Sequence, residues 1–394
     1  MFADTKLFYA ISALIAIGIV FSLSLSAFTV LYLDYVSYHF FIRQLIVGML
    51  GIFIIWFISR LNPNRIILGN LSTFEVIGFF IFFSSFLLMI IMQFLPASLV
   101  PVTGGAKRWI RLGGISLSPV EFFKIGFVFF LAWSFTRKID NNKKRLKDEF
   151  KILFPYFILF GMAVFLIAIL QKDLGQVVVL TLVLMILATF AGTSKKFFGT
   201  IGVVGIILVV LAIISQPHRI RRFQSWWVTN QDFILSILPS NIAEFMRISD
   251  AEEPYQITHS LNAIYHGGFF GVGLGNGTFK LGFLSEVHTD FVLAGIAEEI
   301  GFVGILAITY LMIYIIYRIF KVSSRSQNKV YHLFALGIGS IITLAFLMNA
   351  YGITSITPIK GIAVPFLSYG GSSVLALCVG IGMVLMISKK ADLS

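Results

Sequence analysis

"LFYAISALIAIGIVFSLSLSAFTVLYL", residues 7–33, runs for 27 residues without one charged side chain. An α-helix rises 1.5 Å per residue, so about 20 apolar residues cross a hydrocarbon layer roughly 30 Å thick. The run is longer than the apolar core of a secretory signal and lacks a small-residue cleavage site, so it reads as a retained membrane helix. "GFFIFFSSFLLMIIMQFL" (78–95) repeats the pattern. The whole chain follows suit: of 394 residues, 58% are hydrophobic and 12% charged, with mean hydropathy +0.94. A soluble domain carries about 25% charged residues. The fold class is therefore an all-α polytopic membrane protein.

Hydropathy places ten spans near 7–31, 41–59, 74–95, 119–136, 152–170, 175–192, 197–215, 290–317, 331–350 and 367–388. This leaves no room for a separate soluble domain, and residues 1–394 read as one integral membrane unit. One large extracytoplasmic loop, 216–289, joins spans 7 and 8. Cytoplasmic loops are enriched in Lys and Arg. An N-in, C-in arrangement puts eighteen of the thirty basic residues inside, including the run "RKIDNNKKRLKDEFK" (137–151). The other twelve fall outside or near outer helix ends: Arg43, Lys107, Arg108, Arg111, Lys124, Lys172, Arg219, Arg221, Arg222, Arg247, Lys280 and Lys360. The positive-inside bias opposes that placement. A phosphorylated lipid on the outer face fits these cations; nucleic acid is a poor partner for such a surface.

Several segments carry polar groups where hydrocarbon would exclude them. In "GGAKRWIRLGGISLSPVEFFK" (104–124), Lys107, Arg108 and Arg111 flank Trp109. Ser118 and Pro119 suit the start of a helix, and Glu121 and Lys124 lie three apart on one face, within pairing reach. The segment is compatible with an interfacial anchor plus an ion pair and equally with an anion site. "QKDLGQ" (171–176) reads as a tight outer turn. In the large loop, "DFILSILPSNIAEFM" has helical apolar spacing broken at Pro239, as a surface helix would. "HGGFFGVGLGNG" fails the G-x-G-x-x-G pattern and has no βαβ context; it reads as a flexible gating loop.

"EVHTDFVLAGIAEEIG" (286–301) heads span 8. On a helix, Asp290, Ala294 and Glu298 would share one face, with Glu299 about 100° away. Bare carboxylates in lipid cost several kcal/mol, so this face lines a polar cavity or meets cations such as Lys124 or Lys172. His288 and Asp290 form at most half of a metal site. The one cysteine, Cys378, permits neither an intramolecular disulfide nor a cysteine-based zinc site. No H-E-x-x-H, Walker loop or G-x-S-x-G occurs.

In order, "GAKRWIRLG…SLSPVEFFK", "QKDLGQ", "PYQITHSLNAIYHGGFFGVGLGNG", "EVHTDF…AEEIGF" and "KGIAVPFLSYGGSS" resemble the SEDS family of bacterial membrane glycosyltransferases (shape, elongation, division and sporulation). The lysine of "PIKGIAVPF" is more similar to the division branch than to the elongation branch. Two departures stand out: "QKDLG" replaces the usual Q-P-D-L-G, and "SEVHTDF" lacks the usual P-E. The resemblance implies polymerisation of lipid II into glycan strands outside the cytoplasmic membrane, with Asp290 as the essential aspartate. It also implies a class B penicillin-binding protein and other division proteins as partners.

On that basis the expected reaction is inverting. A hydroxyl of the acceptor sugar attacks C1 of the donor, and lipid pyrophosphate leaves. Asp290 is the expected general base. Lys107, Arg108 and Arg111 are the expected pyrophosphate ligands, with Arg221, Arg222 and Lys360 as further candidates. Glu121 and Lys124 are expected to organise the cavity floor. No motif requires a cofactor, although a divalent cation would assist departure of pyrophosphate. The alternatives are a lipid II flippase, a scaffold for another enzyme, and an elongation-type polymerase.

Overall fold

The structure is a computed structural model. It describes all residues except 1–3, 33, 37, 104, 113–114, 139–145, 215–216, 249–254, 360, 392 and 394, and leaves several side chains within 195–222 undescribed. Among the described residues fourteen α-helices follow one another: α1 Thr5–Leu25, α2 Ala27–Tyr32, α3 His39–Arg60, α4 Thr73–Phe94, α5 Pro119–Lys138, α6 Leu146–Val164, α7 Leu174–Ala191, α8 Lys195–Ile214, α9 Pro217–Leu235, α10 Ser240–Met246, α11 Tyr255–Gly267, α12 Val292–Arg325, α13 Lys329–Ile353 and α14 Gly371–Ser388. A π-helical stretch, Phe165–Leu170, extends α6. The described residues also form three two-stranded antiparallel sheets: β1–β2 (Ile66–Leu68, Leu71–Ser72), β3–β4 (Val102–Thr103, Ala106–Lys107) and β5–β6 (Ile110–Leu112, Ile115–Leu117).

Local sequence sets the helix ends. Asp4 caps α1 by accepting from Leu7 N, and Ser72 and Glu75 form a capping box on α4. Asp173 caps α7, which Gly192 closes in the left-handed conformation. Each device satisfies orphan groups at a helix end. Among the described residues, nine helices are long and apolar enough to cross a membrane. The tenth expected span, 197–215, falls on α8, continuous from Lys195 to Ile214.

The spans sort into an inner and an outer set. In their most apolar 18-residue stretches α5, α13 and α14 are 72%, 72% and 78% buried, whereas those of α3, the α6 span and α12 are only 28%, 28% and 22% buried. α14 packs along α3 and α5, α13 against α5 and α7, and α12 against α13 and α11. One contiguous apolar core runs from Leu7 to Ile387.

The 216–289 segment contains α9, α10 and α11, and Pro239 separates α9 from α10, where the expected surface helix is broken. One expectation changes here. Span 8 does not begin at 290. It starts at Val292, ends at Arg325, and is broken at Gly301, where φ is 66° and ψ −170°. Only glycine adopts that conformation readily.

Candidate functional site

Asp290 stands ahead of α12, in a turn that Glu286 organises. Glu286 has φ 57°, and its carbonyl accepts from the amides of Thr289 (3.1 Å), Asp290 (3.0 Å) and Phe291 (3.3 Å). Asp290 is half-buried. The expectation that Asp290, Ala294 and Glu298 form one helical face is thus overturned, because the helix starts two residues beyond Asp290. Its neighbour is the 361–369 loop: a Cβ on Gly361 would lie 2.9 Å from Asp290 Oδ2. Gly361 has φ 60°, so space and backbone both require glycine here.

His288, two residues earlier, is buried between the rings of Phe40 and Tyr369. Burial holds its pKa below the ordinary 6.5, with the Glu286 carboxylate pulling the other way. Among the described residues, no group of three or more His, Cys, Asp or Glu side chains could hold a metal ion.

The acids at 298 and 299 point elsewhere. Glu298 Oε1 accepts from His266 Nδ1 (3.0 Å) and from the amides of Thr278 (2.6 Å) and Phe279 (3.2 Å). Glu299 Oε1 meets Lys280 Nζ at 2.6 Å and Ser24 Oγ. Their partners are His266 and Lys280, not Lys124 or Lys172; a loop residue about 20 positions upstream could not be paired from helical spacing. The glycine-rich stretch is likewise pinned rather than free. Val272 N and Gly273 N donate to the carbonyls of Glu298 and Glu299, while Phe302 N and Val303 N donate to Gly268 O and Phe269 O. The loop therefore supplies the backbone partners that the break at Gly301 removes.

A second charged cluster forms where α5 meets α7. Lys124 Nζ and Glu121 Oε2 pair at 2.9 Å, as their spacing predicts, and Gln176 Nε2 donates to Glu121 Oε1 (2.9 Å). Arg108 Nε donates to Gln171 O (2.7 Å) and its Nη2 to Lys172 O (3.2 Å). Its guanidinium is held by carbonyls, so its charge is not matched by a carboxylate at those contacts. Burial pushes the Asp173 carboxyl above the ordinary aspartate range, aided by Glu121 and opposed by the Gln176 amide, Arg108 and Lys124. Lys172 has φ 53°, a conformation closed to proline, so its departure from Q-P-D-L-G changes the backbone as well as the charge. Its ammonium lies 2.8 Å from where a Cβ on Gly105 would be.

The other expected anion ligands divide. Lys107 turns inward and caps α4, its Nζ donating to Gln93 O (2.9 Å) and Leu95 O (2.8 Å). Arg111 is exposed, as is Arg221 on α9. The Arg222 side chain and all of Lys360 lie outside the described residues. Ser372, in the first turn of α14, accepts from Ser118 N (2.8 Å) and donates to Ser116 O (2.9 Å). Thus one helix start joins the 104–124 segment to the 361–369 loop that borders Asp290.

Comparison with known proteins shows the family. Residues 4–393 match the FtsW, RodA and SpoVE family model, described as cell cycle proteins. The chain is 46% identical over 391 residues to a probable peptidoglycan glycosyltransferase FtsW of Helicobacter pylori, covering 99% of both chains. It is 33% identical to a protein of the same description from Coxiella burnetii, over 90% of this chain and 88% of the relative. Among solved structures, the fold is similar to the rod shape determining protein RodA of Thermus thermophilus (TM-score 0.63, 19% identity, 100% of this chain and 98% of that one). It is also similar to a chain from a peptidoglycan synthase complex that coordinates polymerization and crosslinking (TM-score 0.70, 20% identity, 100% and 99%).

Proposed function

This chain belongs to the FtsW, RodA and SpoVE family of cell cycle proteins, and from that premise we propose that it is a peptidoglycan glycosyltransferase that polymerises lipid II during division. The observation that carries the reading is Asp290: a half-buried carboxylate outside any helix, beside a backbone that only glycine allows so close. The acceptor hydroxyl oxygen attacks donor C1, the bond from C1 to the pyrophosphate oxygen breaks, and the hydroxyl proton passes to Asp290. A positioned base of this kind is worth about 10²–10⁴-fold in rate.

The leaving pyrophosphate needs charge stabilisation rather than a proton. Arg108, Lys172 and Arg111 supply it in this reading, Arg108 through a planar fork that suits phosphate oxygens. Lys107, occupied by the end of α4, is withdrawn from that role. No resident cofactor is proposed; a divalent cation, where used, arrives with the pyrophosphate. The chain is a multi-pass membrane protein, and we place the Asp290 end on the outer face at the septum, with both termini in the cytoplasm. A class B penicillin-binding protein is the proposed partner.

The test uses the protein and its penicillin-binding partner in liposomes supplied with labelled lipid II. Polymer from wild type and none from an equally folded Asp290→Asn variant supports the reading. Lipid II crossing the bilayer without polymer from either protein would replace it with the flippase.

A further inference from the structure

The carbonyls of three consecutive residues, His288, Thr289 and Asp290, are each held by a different donor. Tyr369 N donates to His288 O at 2.9 Å, Ser368 Oγ to Thr289 O at 2.7 Å, and Asn349 Nδ2 to Asp290 O at 2.6 Å. The second N–H of Asn349 goes to Ile362 O at 2.8 Å. Both of its partners are carbonyls, which only accept, so the nitrogen end of this amide is fixed by chemistry. Ser368 Oγ also accepts from Val364 N at 2.7 Å, which leaves its single proton for Thr289. Gln44 Nε2, on α3, reaches Ser368 O at 3.4 Å.

Asn349 and Ser368 are 5% and 1% exposed, so neither offers its surface to a large substrate. The Asp290 turn needs such support. It lies before α12, and its own amide donates to the Glu286 carbonyl at 3.0 Å. An aspartate carboxylate is separated from its Cα by one methylene, so a small rotation of the backbone is carried directly into the oxygens. A reacting group misplaced by about 1 Å loses on the order of 100-fold in rate.

We propose that Asn349 and Ser368 are positioning residues: they aim the Asp290 carboxylate by fixing the backbone on either side of its peptide, setting turnover while leaving substrate affinity alone. The assignment rests on Asp290 being the base. It unites an amide from the inner helix α13 with a hydroxyl from the 361–369 loop, and it gives the serine of "PFLSYGG" a defined task.

The experiment measures lipid II polymerisation and, separately, binding of labelled lipid II, for the full chain with its partner in liposomes. The variants are Ser368→Ala, Ser368→Thr, Asn349→Leu and Asp290→Asn. Ser368→Ala and Asn349→Leu are expected to lower kcat about 10- to 100-fold with lipid II affinity within about twofold of wild type. Ser368→Thr, which keeps the hydroxyl, is expected to recover much of the rate lost in Ser368→Ala. Full turnover by both Ser368→Ala and Asn349→Leu beside an inactive Asp290→Asn overturns the positioning role while leaving the base in place. Parallel loss of rate, affinity and thermal midpoint in both, with no gain from Ser368→Thr, also overturns it, by reducing the contacts to scaffolding. An active Asp290→Asn overturns the base, and the positioning role with it.

Discussion

Asp290 and the pair Glu298–Glu299 lie eight residues apart, yet the protein treats them in opposite ways. At Glu298 and Glu299 the side chains are buried anchors: Glu298 takes His266 and two loop amides, Glu299 Oε1 takes Lys280 and Ser24, and both residues are 1% exposed. At Asp290 the main-chain carbonyl is held by Asn349, and the side chain stays half-buried beside Gly361. A carboxylate sealed in the interior among its donors holds structure. A half-buried carboxylate on an anchored main chain can be aimed at a substrate, and this is the condition for acid–base work.

Substitution separates the two regions by readout. Asp290→Asn should cut polymerisation by about 10²–10⁴-fold with an unchanged thermal midpoint; a protein that unfolds early instead would erase the contrast. Lys280→Met strands Glu299 without its cation in a buried site, and breaking such a pair costs about 3–5 kcal/mol. Thermal or denaturant unfolding should reveal that loss, and adding Glu299→Gln to Lys280→Met should return most of it. Lys172→Ala should raise the KM for lipid II a few-fold with little change in kcat, and high salt should diminish the difference, as for any partly solvated charge. An unaltered KM would remove Lys172 from the anion site.

The smallest effect is expected at His288. Below about pH 6.5 the unfolded chain takes up a proton there that the folded chain resists, because burial has lowered the folded pKa. Stability should therefore be complete above that pH and decline as the pH drops through it. Comparing thermal midpoints at pH 7.5 and 5.5 for wild type and His288→Phe checks this, the variant losing the part of the slope that belongs to His288.

Much of this was legible in the sequence. Uniform apolar runs revealed the spans because hydrocarbon imposes length and composition with little regard to detail. Glu121 and Lys124 were readable because helical spacing alone brings them together. The break at Gly301 was hidden, since the two glycines of "IGFVGILAITYL" look like ordinary span composition and nothing marks the first of them; the two acids just before it were the available warning. Lys280, in a loop, and His266, at the end of α11, escaped because such distant residues reach their partners only through the fold. Asn349, alone and polar in "LAFLMNAYGI", carried a usable signal: an amide in an apolar span needs partners of its own.

The break at Gly301 also bears on how the chain enters a membrane. Past it, Phe302–Arg325 offers about 24 residues, roughly 36 Å of helix, enough to cross unaided. This lower piece therefore has the length of an ordinary membrane span by itself, and Glu298 and Glu299 lie outside it. The glycine-rich loop, made earlier in synthesis, already contains the amides that the short upper piece will need.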